Sequence, residues 1–245
     1  MSSRILFTVF LLVSQLAACS DKVADEVPAH SRTNDYGTLE STAAQGDASD
    51  KFALFVHVYE GLPETYSHVD VAVRYLEEAA MGGHSNAQFN LGYLLVNGEL
   101  VERDEETGVL WLQKAAEGGV RRANLWLGIA YFERYNRQKD SSPSLASDSF
   151  GRLEYWLRPV IGRENDYLSL AAQETLGRAY LRQSVFNEDG WSHLFDAATK
   201  GFAPAENSLR QMRVILQAEL DGGFEEVEPL ISRIDEFLKS RSSVE

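Results

Sequence analysis

The side chains that could do chemistry are few and scattered. The five histidines, His30, His57, His68, His84 and His193, include no pair four residues apart, the spacing that sets two imidazoles on one helix face around a metal. His57 lies on an apolar stripe and reads as a packed imidazole. Asp104-Glu105-Glu106 groups three carboxylates, which could meet a cation or could open a helix with their charges facing the positive end of its dipole. A helical pattern follows the run, and this favours the second reading. No glycine loop of the phosphate-cradling kind and no nucleophile-elbow motif is present. The expectation is therefore no metal, no cofactor and no catalytic residue. Cys19 is the only cysteine, so whatever it does it does as a lone thiol.

Residues 1 to 18 give that thiol a context. Arg4 precedes the apolar run Ile5 to Val13, and Ser14-Gln15-Leu16-Ala17-Ala18-Cys19 follows, which together are the parts of a secretory signal peptide. A membrane span needs about 20 apolar residues, and Ser14 and Gln15 interrupt this one too soon. Leu16-Ala17-Ala18-Cys19 resembles the bacterial lipobox. That resemblance implies that Cys19 is lipidated and becomes the first residue of a periplasmic, membrane-anchored chain. Ser20 stands where some bacteria place the aspartate that retains a lipoprotein at the inner membrane. The outer membrane is thereby favoured, with the inner one left open.

Removing Arg4 with the leader takes the 23 basic residues to 22, against 37 acidic ones, a formal charge of −15. Such a body repels phosphates and attracts basic partners, so nucleic acid is not expected as a partner. Ordinary solubility is by itself sufficient to account for the charge, and is the preferred reading. Residues 19 to 50 are rich in Ser, Asp, Ala, Thr and Gly, with Tyr36 the only aromatic, and read as a disordered tether. A random coil of that length reaches roughly 30 Å.

The elements that must position everything else lie in residues 51 to 245, read as a helical repeat domain with terminal caps. Ala87-x-x-x-Leu91-Gly92 returns as Ala123-x-x-x-Leu127-Gly128 and Ala172-x-x-x-Leu176-Gly177, and in weakened form as Ala205-x-x-x-Leu209-Arg210. A second anchor alternates with it: Tyr75-Leu76-x-x-Ala79-Ala80, Trp111-Leu112-x-x-Ala115-Ala116, Trp156-Leu157-x-x-Val160-Ile161 and His193-Leu194-x-x-Ala197-Ala198. These are the two helices of one hairpin, repeated. Ala79 to Leu91, Ala115 to Leu127 and Ala197 to Leu209 are each 12 residues, which makes the joint between hairpins constant. Gly82-Gly83, Gly118-Gly119 and Gly201 supply the left-handed residue that ends a helix there. One hairpin cannot bury its own apolar face, whereas stacked neighbours can. The small residues mark close helix approach, and Trp111, Tyr131, Trp156 and Tyr180 are expected to fill the space between hairpins.

The segment Ala87 to Gly119 resembles the Sel-one-like repeat, a slightly longer variant of the tetratricopeptide repeat. The pattern appears as Ala87 to Gly92, a loop from Gly98 to Asp104, and Trp111-Leu112-Gln113-Lys114-Ala115-Ala116-Glu117-Gly118-Gly119. Leu100 stands where the family prefers a second loop glycine, and Gly108 where it prefers alanine. The resemblance implies an all-α fold, a right-handed solenoid of antiparallel helical hairpins, and it extends over about residues 69 to 220. Asp104 also suits the N-cap of the second helix.

Repeat two is stretched. Leu127 to Val160 is 33 residues where Leu91 to Ala115 is 24, and Asn136 to Ser147 reads as an exposed loop that absorbs most of the excess. Pro159 should bend its helix or end it early. Gly162 to Asp166 reads as a turn. Lys51 to Tyr59 reads as the first helix of an incomplete repeat, and Val227, Leu230, Ile231, Ile234, Phe237 and Leu238 form the stripe of a closing helix.

In such a solenoid the first helix of each hairpin lines the concave face. Counting from the anchor leucines puts Phe89, Tyr93, Leu125, Ile129, Phe132, Glu133, Glu174, Arg178 and Arg182 there, an apolar and aromatic half followed by a charged half. That mixture suits a protein-binding surface, although the apolar members, Leu125 and Ile129 above all, serve equally well as core between repeats. The resemblance implies a non-enzymatic module that binds another protein, either a toxin effector or a component of envelope assembly. Similar lipoproteins include immunity proteins that neutralise a phospholipase or other toxin delivered by type VI secretion. Longer ones organise polysaccharide export as scaffolds. A hydrolase acting through scattered carboxylates is the third reading.

Overall fold

The structure, a computed structural model, describes residues 36–61, 66–162 and 166–242. The leader over residues 1 to 18, the lipidation site at Cys19 and the tether as far as residue 35 lie outside them. Among the described residues every regular element is helical, and these residues fall into two compact units that divide between Gly118 and Gly119. No helix among them is long and apolar enough to cross a membrane.

The first unit holds α1 (Tyr36–Gln45), α2 (Ala48–Glu60), α3 (Val69–Met81), α4 (Ser85–Asn97) and α5 (Glu105–Glu117), each packed on the next. The tether expected over residues 19 to 50 is thus too long, because residues 36 to 45 are helical and contribute to the core. Leu39 and Ala43, four residues apart on one face, are buried with Phe52, Phe55 and Leu76. The Tyr36 ring stacks on His68 at 3.7 Å. Composition concealed this helix because it offers only two buried side chains and is polar elsewhere. The boundary of α2 also lies earlier than Lys51. Asp47 accepts from the N–H groups of Ser49 and Asp50 at 2.7 and 3.2 Å, and Asp50 accepts in return from the Asp47 N–H, a complete capping box.

The α4/α5 hairpin runs antiparallel, since a Cβ on Gly92 would meet Leu112 while one on Gly108 would meet Val96. At the crossing each glycine faces the other's carbonyl oxygen, 2.8 Å from a Cβ on Gly92 and 2.9 Å from one on Gly108. Gly108 is therefore half of a contact rather than a neutral departure from the family pattern. Asp104 caps α5 as expected, accepting from the Thr107 N–H at 3.0 Å; the Thr107 hydroxyl first and this N–H second hold its carboxyl below the usual range. The joint between α3 and α4 is closed by the His84 N–H, which donates to the carbonyl of the anchor Ala79 at 3.1 Å, with Gly83 left-handed at φ 88°.

The second unit holds α6 (Arg121–Gln138), α7 (Pro143–Leu157), α8 (Tyr167–Gln183), α9 (Glu188–Thr199), α10 (Ala203–Asp221) and α11 (Glu228–Ser242). The hairpins are α6/α7, α8/α9 and α10/α11, and the first helices stack in order, α6 on α8 and α8 on α10. The exposed loop expected over Asn136 to Ser147 is not formed. Instead α6 runs to 18 residues where α4 has 13, and α7 restarts at Pro143, so the connection shrinks to residues 139–142. Proline at the first helical position is preorganised for a helix start, and buried Ala146 ties the first turn of α7 down. At its other end α7 stops at Leu157, two residues before Pro159. Of the turn expected over Gly162 to Asp166, residues 163–165 lie outside the description; Asp166 caps α8 by accepting from the Ser169 N–H at 2.8 Å.

The α8/α9 hairpin repeats the glycine crossing with Gly177 and Gly190, whose added Cβ atoms would lie 2.9 and 3.0 Å from each other's carbonyl oxygens. The closing joint is reproduced as well: the Phe202 N–H donates to the anchor Ala197 carbonyl at 3.1 Å. The helix α11 caps the unit through Val227 just ahead of it and through Ile231 and Ile234. Tyr131 is buried as expected, whereas Trp111, Trp156 and Tyr180 are only half-buried. Gly151, inside α7 with nothing within 4 Å of an added Cβ, has no such crossing to serve. Gly151→Ala should therefore raise stability by about 0.5–1 kcal/mol in chemical denaturation, since it removes backbone freedom at no steric cost.

Candidate functional site

The stacking of α6, α8 and α10 decides which of the expected face residues reach the surface. Phe132 is buried, and the guanidinium of Arg178 lies over its ring at 5.2 Å. Leu125 is fully buried. Glu174 is only 4 % exposed and accepts from the Ser208 hydroxyl at 2.6 Å and from Arg178 at 3.4 Å. Phe89, in the first unit, is buried too. These four are corrections, because Phe89, Leu125, Phe132 and Glu174 are buried rather than presented at the surface. Glu174 shows the geometry: two positions before its anchor Leu176 it turns toward α10, where Ser208 meets it, and its carboxylate survives burial because two donors reach it.

What remains accessible is narrower. Arg178 and Arg182 are exposed on α8, and Ile129 and Glu133 are half-buried on α6, with Glu133 3.9 Å from Arg137. Lys139 donates to the Arg182 carbonyl, tying the end of α6 to the end of α8. In the first unit Tyr93 is half-buried and donates to Glu99 at 3.1 Å; burial first and the Glu99 charge second push its phenol well above the ordinary range.

The same register extends to α10, where the sequence reading stopped short. Counting from Leu209, Gln211 corresponds to Arg178, and Val214 and Ile215 occupy the positions of Leu181 and Arg182. All three are exposed, the two apolar ones by 67 % and 52 %. The weakened anchor Ala205-x-x-x-Leu209 was signal enough to find them.

A second polar group joins α7, α8 and α9. The Tyr180 hydroxyl donates to Glu154, Arg158 bonds Glu154 at 3.0 Å and Tyr180 at 3.2 Å, and the His193 ring lies parallel to that of Tyr180 at 6.1 Å. Burial, then the Glu154 hydrogen bond, pushes the Tyr180 phenol up to about 12. Burial lowers His193, against the opposing pull of Asp189 and Asp196. Every polar end in the group already has a partner or a ring to stack on, so its evident work is to join three helices. Among the described residues no three His, Cys, Asp or Glu side chains are grouped as a metal site would need.

The family model described as Sel1 repeat matches residues 67–84 and 85–120, which are α3 with its flanking turns and the whole α4/α5 hairpin. The chain carries Sel1 repeats. A crystal structure of a Sel1 repeat protein from Oxalobacter formigenes superimposes with a TM-score of 0.52 at 21% identity, covering 83% of this chain and 74% of that one. This likeness shows a shared all-α helical-repeat fold. No curated protein matches the chain. Within the Sel1 hairpin of residues 85–120, Gly92, Leu112 and Ala115 serve packing, Asp104 serves capping and Gly119 serves the turn. The repeat signature thus describes the scaffold, and the residues free to differ are those at the surface.

Proposed function

We propose that this chain is a lipid-anchored, periplasm-facing module that binds another protein and neutralises it, the target being a toxin delivered by a type VI secretion system. Sel1 repeats are protein–protein interaction modules, and the coarse reading rests on them. The observation that carries it for this chain is the division of labour along α6, α8 and α10. Each helix spends its anchor alanine and leucine on the stack and leaves Arg178, Arg182, Gln211, Val214 and Ile215 at the surface and Ile129 half-buried, with Arg178 also serving the stack through Glu174 and Phe132. Exposed arginine beside apolar side chains on a rigid framework suits an interface, whose core is more apolar than the surrounding surface and is enriched in arginine. The lipobox and the acidic charge support an exported chain that meets its partner away from nucleic acid and anionic lipid.

Two measurements test this. With Cys19→Ala, incorporation of radiolabelled palmitate should vanish and the chain should leave the membrane fraction; undiminished labelling would remove the anchor from the reading. Deleting the chain should sensitise cells to a sibling attacker. Unchanged survival together with a failure of polysaccharide export would replace neutralisation by scaffolding.

A further inference from the structure

We propose that the two loops carrying Phe186 and Phe224 form a docking surface for a basic protein segment, which lays an apolar side chain or a lysine or arginine stem on the two rings while its cations meet the carboxylates around them. The proposal rests on the protein-binding reading above and adds to it a second place and a partner chemistry. Phe186 follows α8, and Phe224 follows α10. The rings meet edge to face, 6.1 Å between centroids, yet stay 46 % and 41 % exposed. Two adjoining aromatic rings left to solvent form the kind of apolar patch that marks an interaction site rather than a scattered surface residue.

The exposure does not come from slack loops. Trp191 Nε1 donates to the Val185 carbonyl at 2.7 Å, the Phe186 N–H donates to Ser184 Oγ at 3.2 Å, and Asn187 caps α9 through the Gly190 N–H at 3.0 Å. In the other loop left-handed Gly223 turns the chain, the Phe224 N–H donates to the Glu219 carbonyl at 3.0 Å, and fully buried Val227 pins the far side. Backbone anchored on both sides of each ring presents it with its ordering cost already met.

Charge then selects the occupant. Glu188, Asp189, Asp221, Glu225 and Glu226 lie within five residues of one ring or the other, and all are exposed. Arg233 pairs with Glu188 at 3.1 Å and Asp221 accepts from Gln217 at 2.9 Å; no cation is bonded to Asp189, Glu225 or Glu226 among the described residues. This rim repels anionic headgroups, and a second copy would bring like charges together. A basic segment satisfies both the rings and the rim. The chain shows the mode beside the patch: while one nitrogen of Arg233 meets Glu188, its guanidinium lies over the Phe195 ring at 4.6 Å.

The test uses the full chain with three probes: a soluble peptide of alternating leucine and lysine, its leucine and glutamate counterpart, and zwitterionic or anionic vesicles. Backbone amide shifts locate each. The lysine peptide should move amides around 184–190 and 221–227. Phe186→Ala with Phe224→Ala should weaken it about tenfold, and Glu225→Gln with Glu226→Gln, on fully solvated positions, several-fold with a shallower salt dependence. Shifts centred on Arg178 and Arg182, or unchanged affinity in both double variants, would overturn the site while leaving the protein-binding reading standing. Vesicle binding or self-association abolished by the phenylalanine variant would overturn the assigned occupant. Should neither peptide move any amide, this docking site would fall, while the protein-binding reading would still be decided by the survival assay above.

Discussion

Trp191→Ala should cost the second unit about 3–5 kcal/mol, measured by urea unfolding followed through helical circular dichroism, the range for emptying a large aromatic from a close-packed core. The side chain is 1 % exposed and belongs to the core formed with Leu170, Leu181, Leu194, Phe202 and Leu216. Interior packing leaves no slack to collapse into so large a hole. Its indole N–H also satisfies the Val185 carbonyl, so Trp191→Phe, which keeps most of the volume and loses the donor, should cost about 1–3 kcal/mol. A loss below about 1 kcal/mol for the alanine variant would mean that the core closes over the gap and that the residue is not the keystone its burial indicates.

The glycine crossings carry the second large effect. Gly92→Ala and Gly177→Ala should each destabilise by about 1–3 kcal/mol, the usual range for forcing an extra methyl into a full interior. Elsewhere on a helix this substitution is favourable, so the sign depends on what the methyl meets. At Gly92 it meets the Gly108 carbonyl oxygen at 2.8 Å, and at Gly177 the Gly190 carbonyl oxygen at 2.9 Å and Leu194 at 3.0 Å. A side chain could swing aside, but a carbonyl fixed in a helix cannot, and the hairpin has to open. Gly151→Ala, with open space around it, gives the same substitution the opposite sign. If all three variants melted above the parent, the helices would not be in the contact described.

How much of this could be read beforehand depended on whether a residue's role repeats. Ala87, Leu91, Gly92 and their counterparts recur, so the hairpins, their joints and the cap at Asp104 were legible. Gly190 was missed although it stands four residues before Leu194, as Gly108 stands before Leu112, because the first glycine was read as a departure and not as half of a pair. Trp191 was missed for a related reason. The family pattern sets its aromatic immediately before the leucine, where this chain has His193, and the large ring lies two residues earlier. Phe89, Leu125 and Glu174 were placed on the face by counting along one helix, to which contacts with other helices, such as that of Glu174 with Ser208, are invisible. The helix at residues 36–45 was hidden by its own polarity, and the loop at 136–147 was inferred from turn-forming residues that serve instead as the start of α7.

The joints closed on Ala79 and on Ala197 differ from the connections at the opposite end of the hairpins in one respect. The joints are short and built alike, whereas the opposite connections run from the seven residues between α4 and α5 to the four between α6 and α7. Each unit therefore has a conservative edge, broken in the second by the nine residues between α7 and α8, and a permissive edge. Leu100, Phe186 and Phe224 all belong to connections of the permissive kind. A lineage could lengthen, shorten or rewrite those connections one at a time, acquiring and discarding specificities, while the helices beneath kept their register.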